Sequence, residues 1–342
     1  MPGLVNGRWV KGHIAESEIK DGAFHREPTR FHTWITPDGI TPDGITPDGG
    51  PDAADRPALP AEAGRYHLYV SYLCPWASRT LIFRKLKGLE ELVGLSVAGP
   101  VIGEDGWTFA TEQDGGEGVG RFHHLHRLYT ATDPTYTGKV SVPVLWDKRE
   151  RRIVNNESAD IIRIFNRAFD HLTGNDLDLS PAPLRAEIGA WNDRIYHTVN
   201  NGVYRAGFAK SQAAYDEAVE ALFNTLDTLE ERLERSRYLV GEHLTETDWR
   251  LFVTLVRFDA AYHGAFKCNL RRIEDYPNLS NYLRELYQWP GVRDTVNVRD
   301  IKIGYYTNPA INPTLIVPKG PLLDFDRPHD RARLPGKGVW RR

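Results

Sequence analysis

RYHLYVSYLCPWASRTLIFRKLKGLE (Arg65–Glu90) changes periodicity at its centre. Tyr66, Leu68 and Val70 alternate with His67, Tyr69 and Ser71 in a run rich in β-formers, so the first part reads as a strand. From Cys74 the pattern turns helical, with Pro75 at a tolerated first-turn position and Gly88 at the end. A cysteine at a helix start meets first-turn amides and the helix dipole, which favour the thiolate. Such sites lower a thiol pKa from about 8.5 to between about 3.5 and 7.5. The plainer alternative is a buried, inert cysteine.

Outward from this stretch, GLSVAGPVI (Gly94–Ile102) reads as a second strand and KVSVPVLWDK (Lys139–Lys148) as a third, with a proline inside it. Between them lies a glycine-rich insertion, residues 103–138. RRIVNNESADIIRIFNRAF (Arg151–Phe169) is a strand end leading into a helix, which completes an α/β layer over residues 65–170. Residues 180–300 are expected to be all-α. Leu184–Phe208, Gln212–Ser236 and Leu244–Phe266 place apolar residues three and four apart, and Thr245-Glu-Thr-Asp248 is a capping-box pattern. Residues 1–64 read as an irregular arm carrying ITPDG three times (Ile35–Gly39, Ile40–Gly44, Ile45–Gly49), and residues 301–342 as an irregular, proline-rich tail. Pro-Asp-Gly is turn chemistry, so the repeats are expected to form an expanded surface loop.

Two features join Cys74. Val142-Pro143 enters a strand, where proline is accommodated at an edge or as a cis turn, and a helix-start cysteine followed by proline and an aromatic belongs to thioredoxin-like grammar. The sequence reads Cys74-Pro75-Trp76-Ala77, not Cys-x-x-Cys. No local thiol resolves a mixed disulfide at Cys74, so an external thiol such as glutathione must. Asn155-Asn156-Glu157-Ser158 opens a helix, whose first amides suit a carboxylate; taken alone it is a plain N-cap.

With these motifs in hand, the sequence resembles the glutathionyl-hydroquinone reductases, or xi-class glutathione transferases. The match covers CPWA (Cys74–Ala77), VPVLWD (Val142–Asp147), NNESADI (Asn155–Ile161) and WITPDG (Trp34–Gly39). It continues through GVYRAGFA (Gly202–Ala209), YLVGEHLTETDWRLF (Tyr238–Phe252), FKCNLRRI (Phe266–Ile273) and YPNL (Tyr276–Leu279), spanning Asn6 to Pro321. The resemblance implies a glutathione transferase fold: an α/β thioredoxin-like N-terminal domain and an all-α C-terminal helical domain. It implies that Cys74 attacks the sulfur of a glutathionyl-hydroquinone, and that a second glutathione frees the enzyme as glutathione disulfide. Glutathione contacts are implied for Trp107, Lys139 (often arginine in the family), the Val142 backbone beside Pro143, and Glu157 with Ser158. Tyr204, Tyr262 and Tyr305 match the family's aromatic-substrate pocket. A flat ring with two phenolic oxygens suits stacking area and hydroxyl donors, although any one of 15 tyrosines is by default packing or surface. The tripled ITPDG, the following PDAADRPALP, Tyr72-Leu73 and Ser78 depart from the family pattern.

Composition bounds the rest. The 342 residues carry 43 lysines and arginines against 46 acids, a formal charge of -3, which argues against nucleic acid as a partner. No apolar run approaches a membrane span or a signal h-region, and two cysteines do not make a disulfide scaffold, so a cytoplasmic protein is expected. His123, His124 and His126 cluster without a ligand pattern for zinc, and no metal is expected; Cys268 reads as a structural thiol. The partners implied are glutathione, glutathionylated hydroquinones and a second copy in a homodimer. Two other readings stand beside this one: an omega-like thiol transferase using the same cysteine, and a non-catalytic binding module on the same fold.

Overall fold

The computed structural model describes residues 3–11, 18–40, 58–110 and 122–342. They form two compact units: residues 3–18 and 26–175, and residues 19–25 and 176–342. All but Ile40 of the second and third ITPDG copies, and residues 111–121 of the insertion, lie outside the described residues.

The first unit is built on β1 (Tyr66–Val70), α1 (Pro75–Leu86), β2 (Val93–Val97), β3 (Val144–Asp147), β4 (Arg152–Asn155) and α2 (Ser158–Arg167). The strand order is β4-β3-β1-β2, with β1 parallel to β2 and the other pairs antiparallel. Tyr66 opposes Asp147 and Val93, which fixes the register of the sheet.

The alternation in β1 suggests a strand with one covered face, yet all five of its residues are buried. Side chains of a strand alternate between faces, and both faces are covered here. Tyr66 meets Phe169 edge-on at 6.0 Å between ring centroids, while Tyr69 meets Phe109 of the insertion at 5.6 Å. His67 is therefore buried; its Nε2 lies 2.8 Å from Ser96 Oγ, and burial pushes its pKa down to about 4, so it is neutral. The expected third strand is divided: Gly138–Lys139 pairs with Gly3–Leu4, and β3 begins only after Pro143.

The arm is more ordered than its composition suggests. Gly3–Val5 and Arg8–Val10 form a hairpin over Asn6 and Gly7, whose φ values of 47° and 70° are those of a type I′ turn. Further along, the Thr33 amide donates to Val154 O and the Asn156 amide to Phe31 O, each at 3.0 Å, so residues 31–33 run along the outer edge of β4. In the first ITPDG copy, Ile35–Thr36 pairs in parallel with Leu59–Pro60, and Asp38 accepts the Ile40 amide.

The second unit is helical: α3 (Arg185–Ile195), α4 (Gly202–Gly207), α5 (Gln212–Arg235), α6 (Glu246–Arg257), α7 (Pro277–Tyr287) and α8 (Val298–Tyr306). π-helical turns follow α3 at Tyr196–Asn200 and α6 at Phe258–Tyr262. Their amides bond five residues back, Asn201 to Tyr196 O and His263 to Phe258 O.

The tail corrects the expectation of an irregular segment from Ile301. Asn297 caps α8 by accepting the Asp300 amide at 3.0 Å, and Ile301, Gly304 and Tyr305 form its buried stripe. The segment ends in a strand, Gly338–Arg341, paired with Leu177–Asp178 and His243–Leu244.

At the start of α6 the buried Asp248 reaches back to the Thr245 amide (2.8 Å), as the capping pattern requires. It also accepts the Leu239 amide (3.0 Å) and the Tyr282 hydroxyl (2.7 Å). Removing this acceptor strands three buried donors. Asp248→Ala is expected to lose about 3 kcal/mol or more of stability, measured by urea denaturation at neutral pH.

Candidate active site

The Cys74 backbone turns the chain from β1 into α1. Its amide donates to Ser71 O at 3.1 Å and its carbonyl accepts the Ser78 amide at 3.0 Å, which makes Cys74 the N-cap. Proline at the next position loses no bond there, because the first-turn amides have no intrahelical partner. The side chain is 9% exposed, and its Sγ lies 3.4 Å from the Val142 carbonyl oxygen, which accepts from the thiol form. The Val142-Pro143 peptide is cis. The pair singled out in the sequence, Cys74 and Val142-Pro143, is thus brought together.

Glu157 is the N-cap of α2. Its Oε1 accepts the Ala159 amide at 3.0 Å and the Ser158 hydroxyl at 3.3 Å; its Oε2 accepts the Thr29 hydroxyl of the arm at 3.1 Å. Arg79 links the two helix starts, with its guanidinium 3.4 Å from Ser158 Oγ and 4.6 Å from the centre of the Trp76 ring. Arg26 lies 5.0 Å from the same ring. Arg79, Arg26 and Thr29 escape a sequence reading because the first sits inside an apolar helical run and the others in an arm without periodicity.

Lys139 has a resident partner. Its ammonium pairs with Glu18, whose carboxylate is almost fully buried and whose Oε1 accepts the Glu27 amide at 3.3 Å. Burial lowers the lysine pKa against the pull of Glu18. Trp107, also buried, offers its carbonyl to the Leu125 amide at 3.0 Å. The three histidines of the insertion take a packing role in part: His126 stacks between Trp9 (4.6 Å) and His124 (5.3 Å).

In the helical unit the three tyrosines form one chain of hydroxyls. Tyr305 Oη lies 2.7 Å from that of Tyr204 and 3.0 Å from that of Tyr262. Tyr262 ends the second π turn, Tyr204 sits on α4 shortly after the first, and Tyr305 lies on α8. Phe266 packs on all three rings at 5.3–5.4 Å. Burial holds the Tyr262 and Tyr305 phenols well above the usual range, neighbouring phenols add to this, and the buried Arg257 works against it. Tyr262 and Tyr305 are therefore protonated at neutral pH. Cys268, whose amide donates to Tyr262 O, is fully buried, and burial raises its thiol pKa.

Residues 73–168 match the family model for the glutathione S-transferase N-terminal domain, and residues 212–285 that for the C-terminal domain. The chain is 55% identical over 262 residues to the glutathionyl-hydroquinone reductase PcpF of Sphingobium chlorophenolicum, covering 76% of this chain and 84% of that one. It is 48% identical over 331 residues to the glutathionyl-hydroquinone reductase YqjG of Escherichia coli, covering 96% and 98%. The glutathione-bound structure of YqjG superposes with a TM-score of 0.81, at 50% identity over 88% of this chain and 96% of that one. The Xi-class transferase of Natrialba magadii superposes with a TM-score of 0.86, at 43% identity over 98% of both chains.

The hydroxyl chain makes Tyr305 its keystone. Tyr305→Phe leaves two phenols without their shared partner and is expected to cost about 1–3 kcal/mol, read as a lowered urea midpoint. Tyr204→Phe, at the half-exposed end, is expected to cost less in the same measurement.

Proposed function

The chain belongs to the glutathionyl-hydroquinone reductases, the Xi-class glutathione transferases, and on that premise we propose that it reduces glutathionyl-hydroquinones to hydroquinones at the expense of glutathione. The observation that carries this reading is a lone cysteine at a helix N-cap, 3.4 Å from the carbonyl before a cis proline, with Ala77 where a resolving thiol would stand.

The Cys74 thiolate attacks the glutathione sulfur of the thioether. The bond between that sulfur and the aromatic carbon breaks, its electron pair goes to the carbon, and a proton completes the hydroquinone. Cys74 is left in a mixed disulfide with glutathione. A second glutathione thiolate attacks the glutathione sulfur of that disulfide, returning Cys74 as thiolate and releasing glutathione disulfide. Within this reading Glu157 and Ser158 take the γ-glutamyl end, Val142 beside Pro143 pairs with the peptide backbone, and Lys139 and Trp107 complete the glutathione contacts. The Lys139–Glu18 pair supports a carboxylate-binding role for the lysine, since its half-buried ammonium already holds a carboxylate.

Tyr204, Tyr262 and Tyr305 are assigned to the hydroquinone. A network of phenols suits both the stacking and hydrogen bonding of a phenolic ring and the delivery of a proton to the departing carbon. The same reading takes glutathione as co-substrate and expects a cytoplasmic homodimer. None of the described helices is long and apolar enough to cross a membrane.

The test monitors hydroquinone release from a glutathionyl-hydroquinone with excess glutathione. Wild type is expected to turn over and Cys74→Ala to fall to background. Tyr→Phe changes in the trio are expected to slow release roughly a hundredfold or more, while cleavage of a simple glutathione mixed disulfide stays near wild type. Wild-type activity confined to the mixed disulfide would overturn this reading in favour of a general thiol transferase.

A further inference from the structure

The arm carries a buried charge pair that the proposed reaction does not use. His32 and Asp160 are both buried, with Nδ1 2.8 Å from Asp160 Oδ2. The other ring nitrogen, Nε2, lies 3.1 Å from the Thr29 carbonyl and 3.3 Å from the Thr29 hydroxyl. That hydroxyl is the one that donates to Glu157 Oε2 at 3.1 Å. Asn155 completes the surroundings: its amide donates to Asp160 Oδ2 at 3.2 Å, and its Oδ1 accepts the Glu157 amide at 2.8 Å.

A carboxylate and a carbonyl only accept, so an imidazolium with hydrogen on both nitrogens satisfies these two neighbours, and the Thr29 hydroxyl at 3.3 Å is the neighbour able to donate to a bare Nε2. Loss of one proton has a defined outcome. Removing it from Nδ1 sets a lone pair against the Asp160 carboxylate, so it leaves from Nε2. The bare Nε2 then faces the Thr29 carbonyl, and the relief at hand is the Thr29 hydroxyl turning its single proton to the nitrogen. The hydroxyl no longer donates to Glu157. Oε1 of that carboxylate stays on the Ala159 amide, while Oε2 loses the bond from the arm.

We infer that His32, acting through the Thr29 hydroxyl, is a positioning residue for Glu157 and couples glutathione binding to the protonation of the arm. The inference rests on Glu157 receiving the γ-glutamyl end of glutathione. The charged groups facing His32 are Asp160 and Glu157 from α2; Arg152 of β4 reaches the neighbouring Thr33 hydroxyl at 3.4 Å. Burial disfavours the charged ring, and the hydrogen-bonded Asp160 carboxylate outweighs it, so His32 titrates above an ordinary histidine. The bond to Glu157 is present below that raised pKa and lost as pH rises through it.

The test measures the affinity of the full chain for S-methylglutathione by calorimetry across the neutral and mildly alkaline range. This ligand keeps the γ-glutamyl and glycyl ends and has no thiol to titrate; its amino group behaves alike with every variant. In wild type the dissociation constant is expected to rise roughly three- to tenfold with pH, the net size of one ordinary hydrogen bond. Thr29→Val is expected to bind weakly throughout, with a flattened profile, and Thr29→Ser to restore the wild-type curve. His32→Gln, which cannot titrate, is expected to flatten the profile with the hydroxyl still present. A wild-type curve in Thr29→Val, or persistence of the pH dependence in His32→Gln, overturns the coupling. Glu157→Gln binding as tightly as wild type would instead overturn the placement of glutathione at Glu157, and the inference with it.

Discussion

The fixed position of Cys74 at the start of α1 goes with a contact between two distant parts of the chain. Cys74 Sγ and the Val142 carbonyl lie 3.4 Å apart because β1 and β3 pair antiparallel and deliver both residues to the same end of the sheet. Parallel pairing of β1 with β2, through α1, secures the other side. A slip of one residue in β3 would turn every side chain of that strand to the opposite face and carry Val142 away from the sulfur. The burial of both faces of β1 makes such a slip costly, since Tyr66 and Tyr69 each fill a separate aromatic environment.

The arm is a working part of this unit. Its hairpin lies beside Lys139, residues 31–33 run along β4, and Thr29, His32 and Glu18 place polar groups where the body would otherwise bury charges without partners. Removing a single member of such a network leaves its partner desolvated and alone, a larger penalty than the net worth of the bond. The same logic holds at Asp248, where one carboxylate serves two backbone amides and a tyrosine from α7.

Much of this was legible in the sequence wherever a local rule is strong. The strand-to-helix turn at Cys74, the proline before β3, the cap at Glu157 and the box at Thr245–Asp248 all announce themselves within a few residues. The features that stayed hidden depend on partners far along the chain. His32 and Asp160 are 128 positions apart, as are Thr29 and Glu157, and nothing near any of them signals the match. The Asn6-Gly7 hairpin did carry its own signal, but its strands are three residues long and gain stability from Gly138–Lys139. In the tail the Asn297 cap and the Ile301/Tyr305 spacing announce α8, and the prolines beyond obscure them. The tyrosine trio came from resemblance alone, for no spacing predicts that three phenols of separate helices share a hydroxyl chain.

The π turns bear on how this sequence can change over time. Each holds one more residue than an α-helical turn, so the helix after it is rotated relative to the helix before it. Point substitutions leave that phase intact. Loss of one residue from Phe258–Tyr262 would restore an ordinary helix and swing its C-terminal continuation by roughly 100° about the axis. Tyr262 would leave the hydroxyl chain and Phe266 the stack. Along this stretch, Tyr262 and Phe266 apart, the phase of the helix constrains residue number more strictly than residue identity, so the length of the segment is a stricter inheritance than its spelling.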